Sequence, residues 1–314
     1  MQEKILIFGN GQMGNFYKDY FNAHDWPAEI AKADITDPAQ IKTAVEQFKP
    51  TVVINTAAVT SLETCEKEKQ KAFNVNVLGT KNIADICDQH GIYFIHLSSG
   101  CIFESKDEND ERVESDAPKP AVFYSWTKVW AEQMVTYRKL PNFRYLILRP
   151  RQPVSAQVSA KNMLIKFLTF TRYVDTPNTG TVLEDLMDWT FELIKIKPSG
   201  IVHVANEGWT TPYEIALMLK KYVLPALEVG KIEKLELDKI TPNRRVDTVL
   251  NVEKLKGFGI KVKPFKERVE EIIIDLGKNI KTADKVFLEK VLTETAETSR
   301  QRTTVNDCWK NLLK

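Results

Sequence analysis

The chain lacks any apolar run long enough to span a bilayer, and because its first strand-like segment starts at about Lys4 we expect no leader peptide. Charge of one sign is missing too. With 44 Lys and Arg against 42 Asp and Glu the net charge is +2, so no broad field draws the protein to nucleic acid or to an anionic membrane. An anionic ligand has to be held by local groups. The four cysteines, Cys65, Cys87, Cys101 and Cys308, form no C-x-x-C pair, which argues against a zinc site or a disulfide framework. These absences lead us to expect a soluble, cytoplasmic protein with reduced thiols. At 314 residues it can bury one large core, or a core and a smaller lobe.

What is present has the rhythm of a parallel α/β protein. Lys4 to Phe8 is an apolar run followed at once by Gly9-Asn10-Gly11-Gln12-Met13-Gly14 and a helical pattern to about His24. This is G-x-G-x-x-G between a strand and a helix: the glycines allow a tight turn and close backbone approach, and the helix start offers free N–H groups to a pyrophosphate. Glu29 to Asp37 reads as a weak strand. Asp34 lies about 20 residues past the last glycine, where the fingerprint places an acid on the ribose hydroxyls. Lys32 offers a cation to a 2′-phosphate instead, so the choice between NADPH and NADH stays open. A helix from Asp37-Pro38 to about Phe48, a strand from Thr51 to Asn55 leading into Thr56-Ala57-Ala58, a long helix from about Lys67 to His90 and a strand from Tyr93 to Leu97 continue the alternation. Such repeats predict a Rossmann-type doubly wound parallel sheet. Gly9, Ala57 with Ala58, and Ser99 all fall at the carboxyl ends of its strands, where such sheets bind ligands.

Beyond the strand at Tyr145 to Leu148 the pattern weakens. A short helix near Met163 to Phe170, a strand at Ile201 to Val204 and a helix from Thr211 to Leu224 stand out, and Leu235 to Val262 reads as irregular and basic. We expect a dinucleotide-binding domain over 1–150, a smaller substrate-binding lobe over 151–275 with some strands returning to the main sheet, and a helical tail over 276–314. The tail carries Val286, Phe287, Val291 and Leu292 at helix spacing but no chemical motif. A homodimer contact, a surface clasp and a peripheral helix without a role remain open for it.

The chemistry concentrates between Leu97 and Lys128. The strand ends in Ser98-Ser99-Gly100-Cys101, and an acidic loop leads to Tyr124-Ser125-Trp126-Thr127-Lys128. On a helix expected to run to about Lys139, Tyr124 and Lys128 share one face, so an ammonium beside the phenol favours its ionised form. Such a phenol passes protons near neutral pH, and Ser99 is placed to hold the same substrate oxygen. The set suits carbonyl reduction. Tyrosine and lysine four apart also make ordinary surface pairs; here the strand-end serine and the nucleotide fingerprint give the spacing its weight. No metal is needed, because tyrosine and cofactor supply proton and hydride.

With these residues in view, the chain resembles the extended short-chain dehydrogenase/reductases, in the branch that contains dTDP-4-dehydrorhamnose reductase. The resemblance rests on Gly9 to Gly14, Asp34-Ile35-Thr36-Asp37, Asn55 to Ala58, Asn74 to Thr80, Ser98 to Phe103 and Tyr124 to Lys128. In the second half it rests on Leu148-Arg149-Pro150, the helix after Thr211, Thr241 to Arg245 and Lys254-Leu255. Gly100-Cys101-Ile102-Phe103-Glu104 and Asp175-Thr176-Pro177-Asn178 are most similar to the plant-type UDP-4-keto-6-deoxyglucose 3,5-epimerase/4-reductases. The resemblance implies an NAD(P)H-dependent 4-ketoreductase of a nucleotide-linked 6-deoxyhexose, with Ser99, Tyr124 and Lys128 catalytic and Lys128 holding the nicotinamide ribose. It also implies epimerisation at carbons 3 and 5, with Cys101 as acid/base; a thiol serves there if a nearby cation lowers its pKa, and Lys166 is the cation we pair with it. An unpaired cysteine after a strand is otherwise a small buried hydrophobe. Asn162 and Arg245 are expected near the diphosphate. A reductase without epimerase activity, a dehydratase or simple epimerase that keeps its NAD bound, and a non-catalytic regulatory subunit such as the β subunit of methionine adenosyltransferase remain as alternatives.

Overall fold

The computed structural model describes residues 2–137, 143–241, 243–300 and 306–313. Five apolar runs become β1 (Ile5–Phe8), β2 (Ala28–Ile30), β3 (Val52–Asn55), β4 (Tyr93–Leu97) and β5 (Tyr145–Arg149), and a sixth strand, β6 (Gly200–His203), returns from the second half. They pair in the order β2-β1-β3-β4-β5-β6, every pair parallel. This is a Rossmann-type doubly wound sheet, and the strand order reverses direction between β1 and β3.

Successive strand residues point to opposite faces, and both faces are covered. Ile5, Ile7, Val52, Ile54, Tyr93 and Ile95 pack on α1 (Gln12–Ala23) and on a helix from the second half, Leu183–Ile196. Leu6, Phe8, Val53, Phe94 and Ile147 face α2 (Pro38–Phe48), α3 (Thr80–Gln89) and α4 (Phe123–Thr136). Asp37 caps α2 by accepting from the Ala39 N–H at 2.9 Å, with Pro38 at the first helical position.

A separate core unites α5 (Met163–Phe167), α7 (Pro212–Tyr222), α8 (Phe265–Thr282) and α9 (Lys285–Arg300), with Val182, the residue before the sheet-packed α6 (Leu183–Ile196), buried among them. Thr211 and Glu214 form a complete capping box at the start of α7. On α9, Val291 and Leu292 are buried against α5, whereas Val286 and Phe287 are exposed. Thr169 Oγ1 meets Ser299 Oγ at 3.0 Å, and Asn306 bonds the carbonyls of Thr169 and Phe170, so the tail lies along α5.

Several local expectations differ. The strand expected over Glu29 to Asp37 ends at Ile30, after which Asp34 turns the chain by accepting from Thr36. The long helix from Lys67 to His90 is broken into Leu62–Lys67, Lys69–Phe73, a π-helical turn at Asn74–Gly79, and α3. The π turn brings the Asn76 amide onto Val59 and Thr127, and Gly79 sits against Ile35, which a Cβ there would meet at 2.6 Å. The short helix near Met163 stops at Phe167. The stretch expected to be irregular contains helices Lys234–Ile240 and Glu253–Gly257, and α6 and α8 are helices beyond those expected from the sequence. α4 ends at Thr136; Lys139 and Pro242 lie outside the described residues.

No helix among the described residues is long and apolar enough to cross a membrane.

Candidate active site

The glycine turn closes the end of β1. Gly9 has φ +112°, a region that only glycine enters freely, and a Cβ on it would stand 2.6 Å from the Ala57 nitrogen. A Cβ on Gly14 would stand 1.9 Å from the Gly9 carbonyl oxygen. These contacts press the start of α1 against the turn after β3. Gly11 faces open space. It begins α1 without a side-chain cap, which leaves the N–H groups of Gln12 and Met13 outside the helix ladder, and the buried Gln12 Nε2 has no partner among the described residues. Unpaired donors at a helix start suit a pyrophosphate, so the residues fit a dinucleotide.

The edge of this cleft is set by β2 and β3. Asp34 is exposed, and the Thr36 N–H and hydroxyl hold its carboxyl below the usual range. Lys32 is exposed two residues earlier. After β3, Ala57 donates its N–H to Asn55 Oδ1 at 3.0 Å, and Ala58 is half-buried beside it.

At the end of β4, Ser99 starts a 3₁₀ turn, Gly100–Ile102, and its Oγ accepts from the Cys101 N–H at 3.2 Å. Across from it, Ser125 on α4 donates to Cys101 Sγ at 3.3 Å. Tyr124 is half-buried on the same helix. Burial pushes its phenol up, the Cys101 and Cys65 thiols add to this, and the Ser99 hydroxyl pulls it down. Lys128 is buried, donates to the Leu97 carbonyl at 2.9 Å, and lies 5.8 Å from the centre of the Tyr124 ring. Burial pushes its ammonium down to about 8, against the opposing pull of Cys101 and Glu132. The expectation of a phenol made acidic by its lysine is therefore corrected for this state: desolvation wins, and the ammonium is anchored on the backbone of β4.

Behind Lys128 stands a pair that sequence reasoning missed. Arg149 makes a bidentate contact with Glu132, Nε to Oε1 at 2.9 Å and Nη2 to Oε2 at 2.6 Å, with both side chains buried. Ser98 donates to the same carboxylate, so one ion pair joins β4, α4 and β5. Arg149 also faces His203 at 3.3 Å, and burial with this neighbouring cation pushes the imidazole down to about 3. The signal was present in Leu148-Arg149-Pro150, but nothing local linked it to Glu132.

The remaining expected residues lie in the second half. Lys166 is half-buried on α5. Asn162 is buried, and its amide is fully committed: it accepts from the Leu164 N–H at 3.1 Å and donates to the carbonyls of Ser155 and Gln157 at 2.7 and 2.8 Å. It caps α5, and in this arrangement no diphosphate contact is left to it. Arg245 is half-buried in the loop before Leu250, where its charge acts on the buried Arg151. The structure thus gathers the glycine turn, Ala57, Ser99, Cys101, Tyr124 and Lys128 along neighbouring strand ends, with Arg245 approaching from the second half.

The model for the RmlD substrate binding domain matches residues 3–277. A trifunctional UDP-glucose 4,6-dehydratase/UDP-4-keto-6-deoxy-D-glucose 3,5-epimerase/UDP-4-keto-L-rhamnose-reductase of Arabidopsis thaliana is 29% identical over 264 residues, covering 81% of this chain but 39% of that protein. The chain thus spans about two fifths of the length of such relatives. A bifunctional dTDP-4-dehydrorhamnose 3,5-epimerase/dTDP-4-dehydrorhamnose reductase of the same plant is 28% identical over 286 residues, 87% of this chain and 93% of that one. The fold matches that of a dTDP-4-dehydrorhamnose reductase from Bacillus anthracis, solved in complex with NADP, with TM-score 0.78 and 22% identity over 88% of this chain and 100% of that one.

Proposed function

The chain belongs to the RmlD substrate binding domain family, and from that premise we propose that it reduces the 4-keto group of a nucleotide-linked 6-deoxyhexose. Epimerisation at carbons 3 and 5 precedes reduction in the same pocket, and the product is UDP-L-rhamnose or its dTDP counterpart. The observation that carries this reading is the clustering of Ser99, Tyr124 and Lys128 around Cys101 after β4, one strand away from the glycine-lined turn after β1. A relative of nearly the same length is named for both reactions.

A reduced nicotinamide, when bound, supplies the hydride to the 4-keto carbon. The cofactor is NADPH, with NADH as the second choice: a fold relative is solved in complex with NADP, and Lys32, exposed two residues before Asp34, offers a cation to a 2′-phosphate. Gly9, Gly11, Gln12, Met13 and Gly14 would hold the pyrophosphate, Ala57 and Ala58 would leave room for the dinucleotide, and Tyr124 and Lys128 would take the nicotinamide ribose.

Ser99 positions the keto oxygen. Tyr124, whose burial keeps its proton on, donates it once negative charge has developed on that oxygen. Lys128, fixed on the Leu97 carbonyl, places a positive charge under the phenolate that results. For epimerisation, the Cys101 thiolate takes the proton from carbon 3 or 5. The C–H electron pair moves into an enolate, in conjugation with the 4-keto group for carbon 3 and carbon 5 alike, and Lys166 returns a proton to the opposite face. Arg245 meets the nucleotide side of the substrate.

The test is oxidation of NADPH by the purified protein with UDP-4-keto-6-deoxyglucose, and separately with an already epimerised UDP-4-keto-L-rhamnose. Turnover of both with a UDP-L-rhamnose product is expected. Turnover of the second alone would reduce the proposal to a 4-ketoreductase, and turnover of neither these nor the dTDP sugars would overturn it.

A further inference from the structure

Ser125 follows Tyr124 on α4, and neither ketone reduction nor cofactor binding as proposed above uses it. It is 2% exposed, so its hydroxyl needs a partner inside the protein. Hydroxyls on helices commonly turn back onto their own backbone, as Thr127 does onto the Tyr124 carbonyl at 2.6 Å and Thr190 onto the Leu186 carbonyl at 2.7 Å. Ser125 instead reaches across to a different segment of the chain and donates to Cys101 Sγ at 3.3 Å.

Both ends of the cysteine are thereby held. Its N–H donates to Ser99 Oγ at 3.2 Å, at the start of the 3₁₀ turn Gly100–Ile102, and its sulfur accepts from Ser125. The turn itself has little freedom. Ile102 and Phe103 share a buried cluster with Val129, which lies one helical turn after Ser125 on the same face of α4. On the other side of the turn, a Cβ on Gly100 would stand 2.8 Å from Leu250 Cδ1 and 3.4 Å from Arg151 Cβ, so its backbone is pressed against both residues. Between this fixed backbone and its sulfur Cys101 has one rotatable bond, and the Ser125 hydroxyl selects its setting. The cysteine stays half-buried rather than sealed.

We propose that Ser125 is a positioning residue for proton exchange at carbons 3 and 5: its hydroxyl fixes Cys101 Sγ in the orientation from which the thiolate meets the sugar C–H. The inference rests on the reading of Cys101 as the exchanging group and deepens it. The O–H bond to sulfur is strongest while the sulfur carries negative charge. It weakens as the sulfur takes the sugar proton and the C–H electron pair passes into the enolate. Ser125 keeps its own proton throughout. Cys101 delivers neither the hydride nor the Tyr124 proton, so loss of the Ser125 hydroxyl acts on exchange far more than on reduction, whereas a residue that only supported α4 would affect both alike.

The experiment compares two rates in the parent, Ser125→Ala and Cys101→Ala. The first is the entry of solvent deuterium at carbons 3 and 5 of UDP-4-keto-6-deoxyglucose, followed by NMR in deuterated water with NADP⁺ in place of NADPH so that no hydride is delivered. The second is NADPH oxidation with UDP-4-keto-L-rhamnose, which needs no exchange. Ser125→Ala keeps the helix, where alanine is favoured, and leaves behind only a thiol, a weak hydrogen-bonding group. It is expected to slow deuterium entry about ten- to a hundredfold relative to reduction, the worth of one hydrogen bond to a charged group. Equal slowing of both rates would overturn the proposal, because Ser125 would then only support the helix. Deuterium entry at the parent rate in Ser125→Ala, with entry abolished in Cys101→Ala, would overturn it too and leave the reading of Cys101 standing. Deuterium entry that survives in Cys101→Ala would overturn that reading itself, so the two failures are distinct.

Discussion

Replacing Lys128 by methionine should stabilise the protein while abolishing its reaction. The ammonium is pushed from its ordinary 10.5 to about 8 by burial. At about 1.4 kcal/mol per factor of ten in proton affinity, keeping it charged at pH 7 costs the folded state roughly 3 kcal/mol. Methionine removes that cost and keeps the stem's volume, but leaves the Leu97 carbonyl without its donor at 2.9 Å, a loss of about 1–2 kcal/mol. The net gain at pH 7 is therefore about 1–2 kcal/mol. The sign of the pH dependence follows from proton counting. Between pH 8 and 10.5 the unfolded chain binds the lysine proton and the folded chain does not, so wild-type stability rises with pH relative to the variant. By pH 9.5 the charge cost has fallen to roughly 1.4 kcal/mol, and the advantage of K128M should vanish or reverse. Urea unfolding of both proteins at pH 7 and 9.5, without cofactor, measures this. A variant that is less stable at pH 7 by the same margin as at pH 9.5 would refute the claim that Lys128 is held charged against its burial.

Other consequences are more direct. Tyr124→Phe should lower the rate of ketone reduction about 10²–10⁴-fold, the usual worth of a general acid, with cofactor binding largely kept in a fluorescence titration. Gly14→Ala places a Cβ 1.9 Å from the Gly9 carbonyl, so it should weaken cofactor binding at least tenfold and lower the melting temperature. Glu132→Gln breaks the buried bidentate pair with Arg149 and should cost about 3–5 kcal/mol in chemical denaturation. Leu292→Ala, on the tail helix beneath α5, should cost about 2–5 kcal/mol, which would show that the tail belongs to the second core rather than to a detachable end.

The sheet was legible because its strands are buried on both faces. Ile5-Leu6-Ile7-Phe8 and Tyr93-Phe94-Ile95 have no polar residue to confuse a period with a run, and the glycine turn and Asp37-Pro38 mark helix starts by local chemistry. The second half was harder for a physical reason. Leu183–Ile196 and Phe265–Thr282 bury one face against partners far away in sequence, and no cap residue or glycine announces them; Val182 and Pro264 precede them without a side-chain cap. The break at Asn74–Gly79 depends on the Asn76 amide reaching Thr127, 51 residues away. At the site, residues adjacent along the chain were found and those joined only in space were not. Ser99, Cys101, Tyr124 and Lys128 lie within one stretch, whereas Glu132–Arg149 and Gly100–Arg151 exist only once β4 and β5 pair. Asn162, expected near the diphosphate, instead uses its side-chain oxygen and amide in holding the start of α5.

The most direct test of one pocket performing both epimerisation and reduction is a single turnover in deuterated water with UDP-4-keto-6-deoxyglucose and NADPH, with the product examined by NMR. The account predicts a rhamnosyl product carrying deuterium at carbons 3 and 5, and loss of that label in Cys101→Ala. A product reduced at carbon 4 with protium retained at carbons 3 and 5 would contradict it.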